Sequence, residues 1–217
     1  MCWWPTARMT PTATSRPIWS PGSSTFSDGT AVIPQVEETY ALYWSELRSL
    51  NGMPFADGFF NEWGVSVVSN GCNGCKSPVP LPVSGGLGYG LRRLIAERAR
   101  SAREGVEIAA ALLDQFGYRS ARAYTISDRD EAWVLQVVAG HNYVAQRVGD
   151  DEILYIPNWY TIRQVDFSDV GHKRFYWSKD LVAFAMEHGY YTPAKAGDFS
   201  DFDFADAYQD PKGFTGT

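Results

Sequence analysis

A short segment at residues 61–65, with the sequence Asn-Glu-Trp-Gly-Val, carries residue types that suit amide chemistry. The side-chain NH₂ of Asn61 can donate a hydrogen bond to the oxyanion that develops on an attacked carbonyl. Gly64 has no Cβ, so its backbone can approach a ligand closely. The same pattern is typical of a turn that enters a strand, and the local sequence taken alone favours the turn.

Two further polar groups could take part in such chemistry. Asn158 follows an apolar run, where its amide could donate to a substrate carbonyl or cap a turn. Asp128 forms a carboxylate cluster with Asp130 and Glu131. Paired acids can transfer protons, but a solvated hairpin turn explains this cluster better.

The sequence predicts no metal and no other cofactor. Cys72 and Cys75 form a single CxxC, whereas zinc sites usually need a second pair or suitably spaced histidines. A redox CxxC normally opens a helix, and here a Gly- and Pro-rich loop follows. The acidic stretch 198–206 lacks the glycine and the spacing of a calcium loop, so we interpret it as a solvated linker.

Composition limits the classes of function. The chain has 217 residues, a net charge of −6 and no cluster of Lys and Arg among aromatics, so nucleic acid and anionic membranes are not expected partners. No apolar run approaches the roughly 20 residues that a membrane span requires. No signal peptide is visible at the start, so a cytoplasmic location is expected. Aromatic residues make up 15%, enough to line a pocket for apolar or planar ligand parts.

Periodicity predicts separate blocks of helices and strands. Residues 1–30 are rich in Pro, Thr and Ser and are expected to be irregular. The stretch 35–50 suits a helix or a strand, and 59–69 suits a strand pair. Helices are predicted over 87–100, from Ser101 to Gly117, and over 177–189 with Ser178 as cap. Between the last two, four alternating runs at 124–127, 132–138, 143–148 and 153–156 predict an antiparallel meander. The fold class is therefore α+β.

Five blocks in a fixed order resemble the N-terminal-nucleophile cysteine dipeptidases, which are related to the secernins. The resemblance extends over roughly residues 29–208. The blocks are Phe-Phe-Asn-Glu-Trp-Gly-Val at 59–65, Gly-Tyr-Gly-Leu-Arg-Arg-Leu at 88–94, Asp-x-x-Glu-Ala-Trp at 128–133, Val-Ala-Gln-Arg-Val-x-Asp-Asp-Glu at 144–152 and Asn-x-Tyr-x-Ile-Arg at 158–163.

This resemblance implies an Ntn-hydrolase αββα sandwich and hydrolysis of small dipeptides. In that family the mature chain begins with a cysteine, which makes Cys2 the candidate nucleophile. Its thiolate would attack the scissile carbonyl, and its own α-amine would act as the base. The proton transfer is nearly balanced, because an α-amine titrates at about 7.7–8.0 and a thiol at about 8.5.

Related bile-salt and penicillin V acylases place an asparagine in the oxyanion hole and a second one against the substrate. The resemblance implies these roles for Asn61 and Asn158, with Glu62 beside them. It also implies a pocket or structural role for a further set, namely Trp63, Gly64, Asp128 and Arg147.

The start of the chain departs from the family pattern. Cys2 is followed by Trp-Trp-Pro rather than an apolar strand, and Pro5 cannot donate to a central ladder. Either Cys2 is exposed by removal of Met1, or residues 1 to about 28 are unrelated sequence. The strands and helices of the carboxyl-terminal half are expected to be missing. Three functions remain open: a dipeptidase domain of residues 31–208 with a tail at 209–217, a non-catalytic fragment that binds peptides or oligomerises, and an acylase for another linear amide.

Overall fold

The computed structural model describes residues 25–28, 31–48, 54–72, 76 and 85–209. Within these residues the chain forms nine strands and four helices. They are β1 Thr25–Asp28, β2 Ala31–Pro34, β3 Leu42–Arg48, β4 Pro54–Asn61, β5 Ser66–Gly71, α1 Gly90–Arg98, α2 Ala102–Phe116, β6 Arg122–Ser127, β7 Ala132–Val137, β8 Tyr143–Arg147, β9 Phe175–Trp177, α3 Leu181–Glu187 and α4 Phe204–Tyr208.

Seven strands, β3 to β9, form one antiparallel sheet in which the spatial order equals the order along the chain. Short polar turns join β6, β7 and β8, as the alternating pattern predicts. The α+β class is confirmed, since helices and antiparallel strands occur in separate blocks.

Helix α2 begins and ends where its capping residues predict. The Ser101 hydroxyl accepts the backbone N–H of Glu104 at 3.2 Å. Gly117 ends the helix with φ 68°, a conformation that side chains with a Cβ rarely adopt. Helix α1 lies within the predicted span 87–100. Both helix predictions are confirmed.

The sheet is covered on its two faces by different parts of the chain. Helices α1 and α2 pack on one face, where Val67, Ile126 and Leu135 point towards them. The segment from Tyr160 to Tyr208 packs on the other face of the later strands, around Val134 and Val144. No helix within the described residues combines the length and the apolar composition that crossing a membrane requires.

A separate two-stranded hairpin, β1 and β2, packs against the helix side of the core. Its inward side chains Phe26, Ala31 and Ile33 are buried in the same cluster as α1 and α2. Residues 25–28 therefore form a strand, although the stretch 1–30 is expected to be irregular. Residues 1–24 lie outside the described residues.

Four details of the sequence interpretation are resolved or corrected. The stretch 42–48 is a strand rather than a helix. Residues 153–156 form no strand, and Ile153 and Tyr155 are exposed. Ser178 does not cap α3, which begins at Leu181, because its hydroxyl accepts the N–H of Tyr143. The acidic end is not a solvated linker.

Aromatic side chains hold that acidic end against the sheet. Phe202, Phe204 and Tyr208 are fully buried in the second core cluster, the group of apolar side chains around Val134 and Val144 on the sheet face away from α1 and α2. Asp203 caps α4 by accepting the N–H of Asp206 and pairs with the Arg163 guanidinium at 2.7 Å. The acidic residues thus face outwards from a buried aromatic layer.

Candidate functional site

Asn61 is buried, and each end of its amide is used twice. Its NH₂ donates to the carbonyl oxygens of Ala96 at 2.9 Å and Ala99 at 2.7 Å. Its Oδ1 accepts the backbone N–H groups of Trp63 at 3.0 Å and Val65 at 2.9 Å. Asn61 therefore ties the turn at 61–65 to the carboxyl-terminal end of α1. The oxyanion role stays a prediction, and in this conformation both amide hydrogens are already donated to carbonyls.

The neighbours of Asn61 shape and surround the same turn. Gly64 has φ 83° and an added Cβ would have room, so the backbone conformation, not crowding, requires glycine there. Glu62 is exposed, and its carboxylate accepts the N–H of Ala41 at 2.8 Å. Trp63 is 52% exposed, with its ring edge-on to Tyr40. The Arg100 guanidinium lies 5.4 Å from the centroid of the Trp63 ring, a cation–π contact on the surface.

Asp128 anchors the amino-terminal end of α2. Its carboxylate accepts the backbone N–H of Ala102 at 2.7 Å, and those of Asp130 and Glu131 at 2.8 and 2.9 Å. Desolvation raises the pKa of this carboxyl, but the three N–H groups outweigh it and leave the pKa below its ordinary value. The predicted carboxylate cluster thus joins the β6–β7 turn to a helix.

Replacing Asp128 with Asn is expected to lower the free energy of unfolding by about 1–2 kcal/mol at neutral pH. A carboxyl whose pKa is depressed by folding adds stability above its unfolded pKa of about 3.9 and loses it as the pH falls through the folded value. The variant should therefore show a shallower loss of stability below about pH 4. Urea unfolding at pH 3, 5 and 7 measures this.

The matched control is Asp130→Asn, because Asp130 is exposed and its carboxylate pairs with the exposed Arg129 side chain across 3.2 Å. It removes the same charge two residues along the same turn. Equal pH profiles for the two variants would refute the anchoring role of Asp128.

Arg147 lies in an ion-pair group at the same end of the sheet. Its guanidinium contacts Glu131 and Asp150, each at 3.0 Å. Glu131 also pairs with Arg103, whose guanidinium stacks over the Trp133 ring at 4.9 Å. The pairing of Arg147 across β7 and β8 is a structural link, and it brings Arg147 close to the Asp128 turn.

Asn158 lies in a different place from Asn61. Its side chain is exposed in a bend, and Ile156, two residues earlier, accepts a hydrogen bond from Asn70 near the end of β5. Asn61 instead lies next to the start of β5. The start of β5 and the position of Asn70 are separated by roughly 13 Å along the strand. The structure does not bring the two asparagines together. Cys2 lies outside the described residues.

A polar cluster that sequence reasoning missed lies at the amino-terminal end of α1. The Arg122 guanidinium lies 4.4 Å from the centre of the Tyr89 ring and donates to the Ser69 hydroxyl at 3.1 Å. The fully buried Arg92 approaches the same ring to 5.1 Å. These residues come from β5, β6 and α1, and the basic block at 88–94 was the one signal in the sequence.

Two buried tyrosines form the floor of this cluster. The Tyr124 hydroxyl donates to that of Tyr118 at 2.8 Å. Burial raises the pKa of both phenols, that of Tyr124 well above its ordinary value, so both are neutral at pH 7. Desolvation lowers the pKa of Arg122, but the neighbouring tyrosines raise it by a larger amount. The pKa of Arg122 therefore lies above its ordinary value, and the side chain stays charged. The cluster therefore has a net positive charge.

Asp28 fixes the position of α1 beside this cluster. Its buried carboxylate accepts the N–H groups of Gly88 at 2.7 Å and Gly90 at 2.9 Å, and lies 3.3 Å from the Arg119 guanidinium. A carboxylate suits the positive end of the helix dipole. The Asp28 carboxylate thus binds the backbone N–H groups at the start of α1 rather than the Arg122 guanidinium.

Two open grooves lie on the sheet face opposite α1 and α2, and residues of α3 line the smaller of them. The larger has a volume of about 760 Å³ and the smaller about 500 Å³, and Phe167 and Phe199 line both. They are mainly apolar, which would suit a hydrophobic side chain. Tyr160, in the block at 158–163, is a core residue, and its hydroxyl donates to the carbonyl of Val137 at 2.8 Å.

Comparison with known proteins links this chain to peptide hydrolases. A model of peptidase family C69 matches residues 75–213, well over half of the chain. A probable dipeptidase B of Streptococcus pyogenes is 32% identical over 114 residues, which are 51% of this chain and 23% of the relative. A dipeptidase of Bifidobacterium longum is 34% identical over 105 residues, 47% of this chain and 20% of the relative. The matched stretch thus spans only about a fifth to a quarter of these relatives.

Proposed function

The chain belongs to peptidase family C69, and on that premise we propose that it acts as a dipeptidase, a hydrolase of small dipeptides. The family match over residues 75–213 is the observation that carries this proposal. The relatives with the names dipeptidase and probable dipeptidase B support the substrate class. The seven-stranded antiparallel sheet with helices on one face is compatible with an Ntn-hydrolase sandwich, which the proposal includes.

The proposed mechanism uses Cys2 as the nucleophile after removal of Met1. The α-amine of Cys2 accepts the thiol proton, and the thiolate attacks the peptide carbonyl to form a tetrahedral intermediate. Collapse of the intermediate expels the amine of the second amino acid, which takes up the proton, and leaves a thioester. Water then hydrolyses the thioester and releases the first amino acid.

The test is a hydrolysis assay on purified protein whose amino-terminal Cys2 has been verified by mass. We expect release of alanine from alanyl-alanine, followed by chromatography, and loss of turnover by on the order of 10³-fold or more in Cys2→Ala. The matched control is Cys72→Ala, since Cys72 is buried in the second core cluster. Unchanged turnover in Cys2→Ala, or none in the verified wild type, would refute the catalytic proposal.

A second candidate function is peptide binding or association without catalysis. Phe60 and Val68 lie on the sheet face away from the helices and are 52% and 42% exposed. An exposed apolar strip of this kind is typical of a surface that meets a further chain or a second copy. If the verified wild type binds dipeptides but cleaves none, this non-catalytic function replaces the dipeptidase proposal. Turnover of another linear amide, with no dipeptide cleaved, would instead indicate acylase chemistry.

A further inference from the structure

We propose that Arg122, with Tyr89 and Ser69, binds the carboxyl-terminal carboxylate of a short peptide. The substrate class rests on the dipeptidase function proposed above. A dipeptide differs from a longer peptide in that its free carboxylate lies one residue from the scissile bond. A site that recognises this group would therefore select short substrates.

The first argument is the charge of Arg122. Its side chain is half-buried, and none of the described residues places a carboxylate in contact with it. Its Nε–H is buried and has no hydrogen-bond acceptor within the described part of the chain. The Asp28 carboxylate is already held by Gly88, Gly90 and Arg119. Because partly buried cations normally have an anionic partner, Arg122 calls for one from outside.

The second argument is the orientation of the guanidinium. The Tyr89 ring stacks on it, and the Ser69 hydroxyl accepts one N–H from Nη1. These contacts, with hydrogen bonds to the Tyr118 and Tyr89 hydroxyls, fix the plane of the guanidinium, and its five donors still leave N–H groups for a ligand. A planar carboxylate matches that fork with two parallel hydrogen bonds, which is the geometry that arginine recognises best.

The third argument is the space beside Arg122. Gly71 is opposite Arg122 in the β5–β6 register, so the two residues share the face that carries Ser69. An added Cβ at Gly71 would meet no described atom within 4 Å. The space above Gly71, next to the guanidinium, is therefore clear of described atoms where a ligand would have to lie.

The fourth argument is the adjacent strand edge. Strand β4 pairs with β3 along its whole length but with β5 only at Phe59 and Phe60. Beyond that point, no described strand pairs with residues 69–71 on the β4 side. Their backbone groups can pair with an extended peptide, as in other proteins that bind peptides by strand addition. This edge favours a peptide over a small inorganic anion.

The test compares the binding of alanyl-alanine with that of its carboxyl-terminal amide by titration calorimetry. Each is titrated into wild type, Arg122→Gln, Gly71→Val and the control Arg129→Gln, whose side chain is 91% exposed. All four proteins also carry Cys2→Ala, so that cleavage does not disturb the measurement, and "wild type" in this comparison means wild type at every other position. Losing a charge-assisted pair should weaken binding about tenfold or more, so wild type should prefer the free acid by that factor.

Arg122→Gln should remove the preference, and Arg129→Gln should keep it. Gly71→Val should weaken binding of both ligands by occupying the space beside Arg122, with no loss of thermal stability, since valine suits a strand. No measurable binding, an equal affinity for acid and amide, or an unaltered preference in Arg122→Gln would overturn the inference. Competition by acetate or phosphate at the dipeptide's own affinity would overturn the peptide assignment. Binding with this pattern but no hydrolysis by the wild-type Cys2 protein would reject only the dipeptidase function.

Discussion

Asn61→Ala is expected to lower the free energy of unfolding by about 3–5 kcal/mol. The variant removes four hydrogen bonds at once and leaves three of the four backbone partners buried and the N–H of Trp63 part-buried. The carbonyls of Ala96 and Ala99 lose a donor, and the N–H groups of Trp63 and Val65 lose an acceptor. Each unsatisfied buried group costs about 1–3 kcal/mol, and partial entry of water reduces the sum.

Urea unfolding followed by tryptophan fluorescence measures the effect, with Asn70→Ala as the matched control. Asn70 is half-buried and donates one bond, to the carbonyl of Ile156 at 3.1 Å. It should cost no more than about 1 kcal/mol. Equal costs for the two variants would contradict the network. A role in the oxyanion hole alone predicts a different result, in which turnover falls while the unfolding midpoint stays unchanged.

The sequence predicts those elements whose signals are local. Ser101, Glu104 and Gly117 mark both ends of α2 because caps depend on residues within one turn. The runs that form β6, β7 and β8 alternate strictly and are separated by polar turns, so their pairing follows from neighbours in the chain. The α+β class follows from these blocks without any knowledge of packing.

Elements whose position depends on distant contacts were assigned wrongly. Ser178 has the composition of a cap, but Phe175–Trp177 gain a strand pairing with β8, and the Ser178 hydroxyl bonds to Tyr143. The acidic end reads as solvated because its carboxylates dominate the composition, whereas burial of Phe204 and Tyr208 decides its structure. In both cases tertiary packing outweighs the local preference.

The candidate site shows the same division. The segment around Asn61 was recognised from its residues, and Asn before a Gly turn suits an oxyanion donor and a structural turn equally well. Arg122 could not be recognised, because Tyr89 and Ser69 reach it from elements that lie 33 and 53 residues away in the sequence. What distinguishes Arg122 is that no carboxylate among the described residues contacts it, a property that exists only in the folded chain.

Asp28→Ala is expected to cost about 2–4 kcal/mol of unfolding free energy. Two N–H groups at the start of α1 lose a charged acceptor, and the helix loses a favourable charge at its positive end. The pair with Arg119 adds little, because that side chain is 37% exposed and solvent screens it. Asp28→Asn keeps one oxygen for the amides and should cost less than half as much. Urea unfolding of both variants measures the difference, and equal costs would contradict the anchoring of α1.

Gly90 supplies a stricter test of the same contact. An added Cβ there would lie 2.8 Å from Oδ2 of Asp28 and 2.9 Å from the Phe26 ring, so Gly90→Ala must displace the carboxylate or the ring. In the Asp28→Ala background the carboxylate is absent, so only the contact with the Phe26 ring remains. Gly90→Ala should therefore cost at least about 1 kcal/mol less in that background than in wild type. Strictly additive costs would mean that Gly90 does not contact Asp28, whereas the expected coupling would show that β1 positions α1, and with it Tyr89 and Arg92, through this one carboxylate.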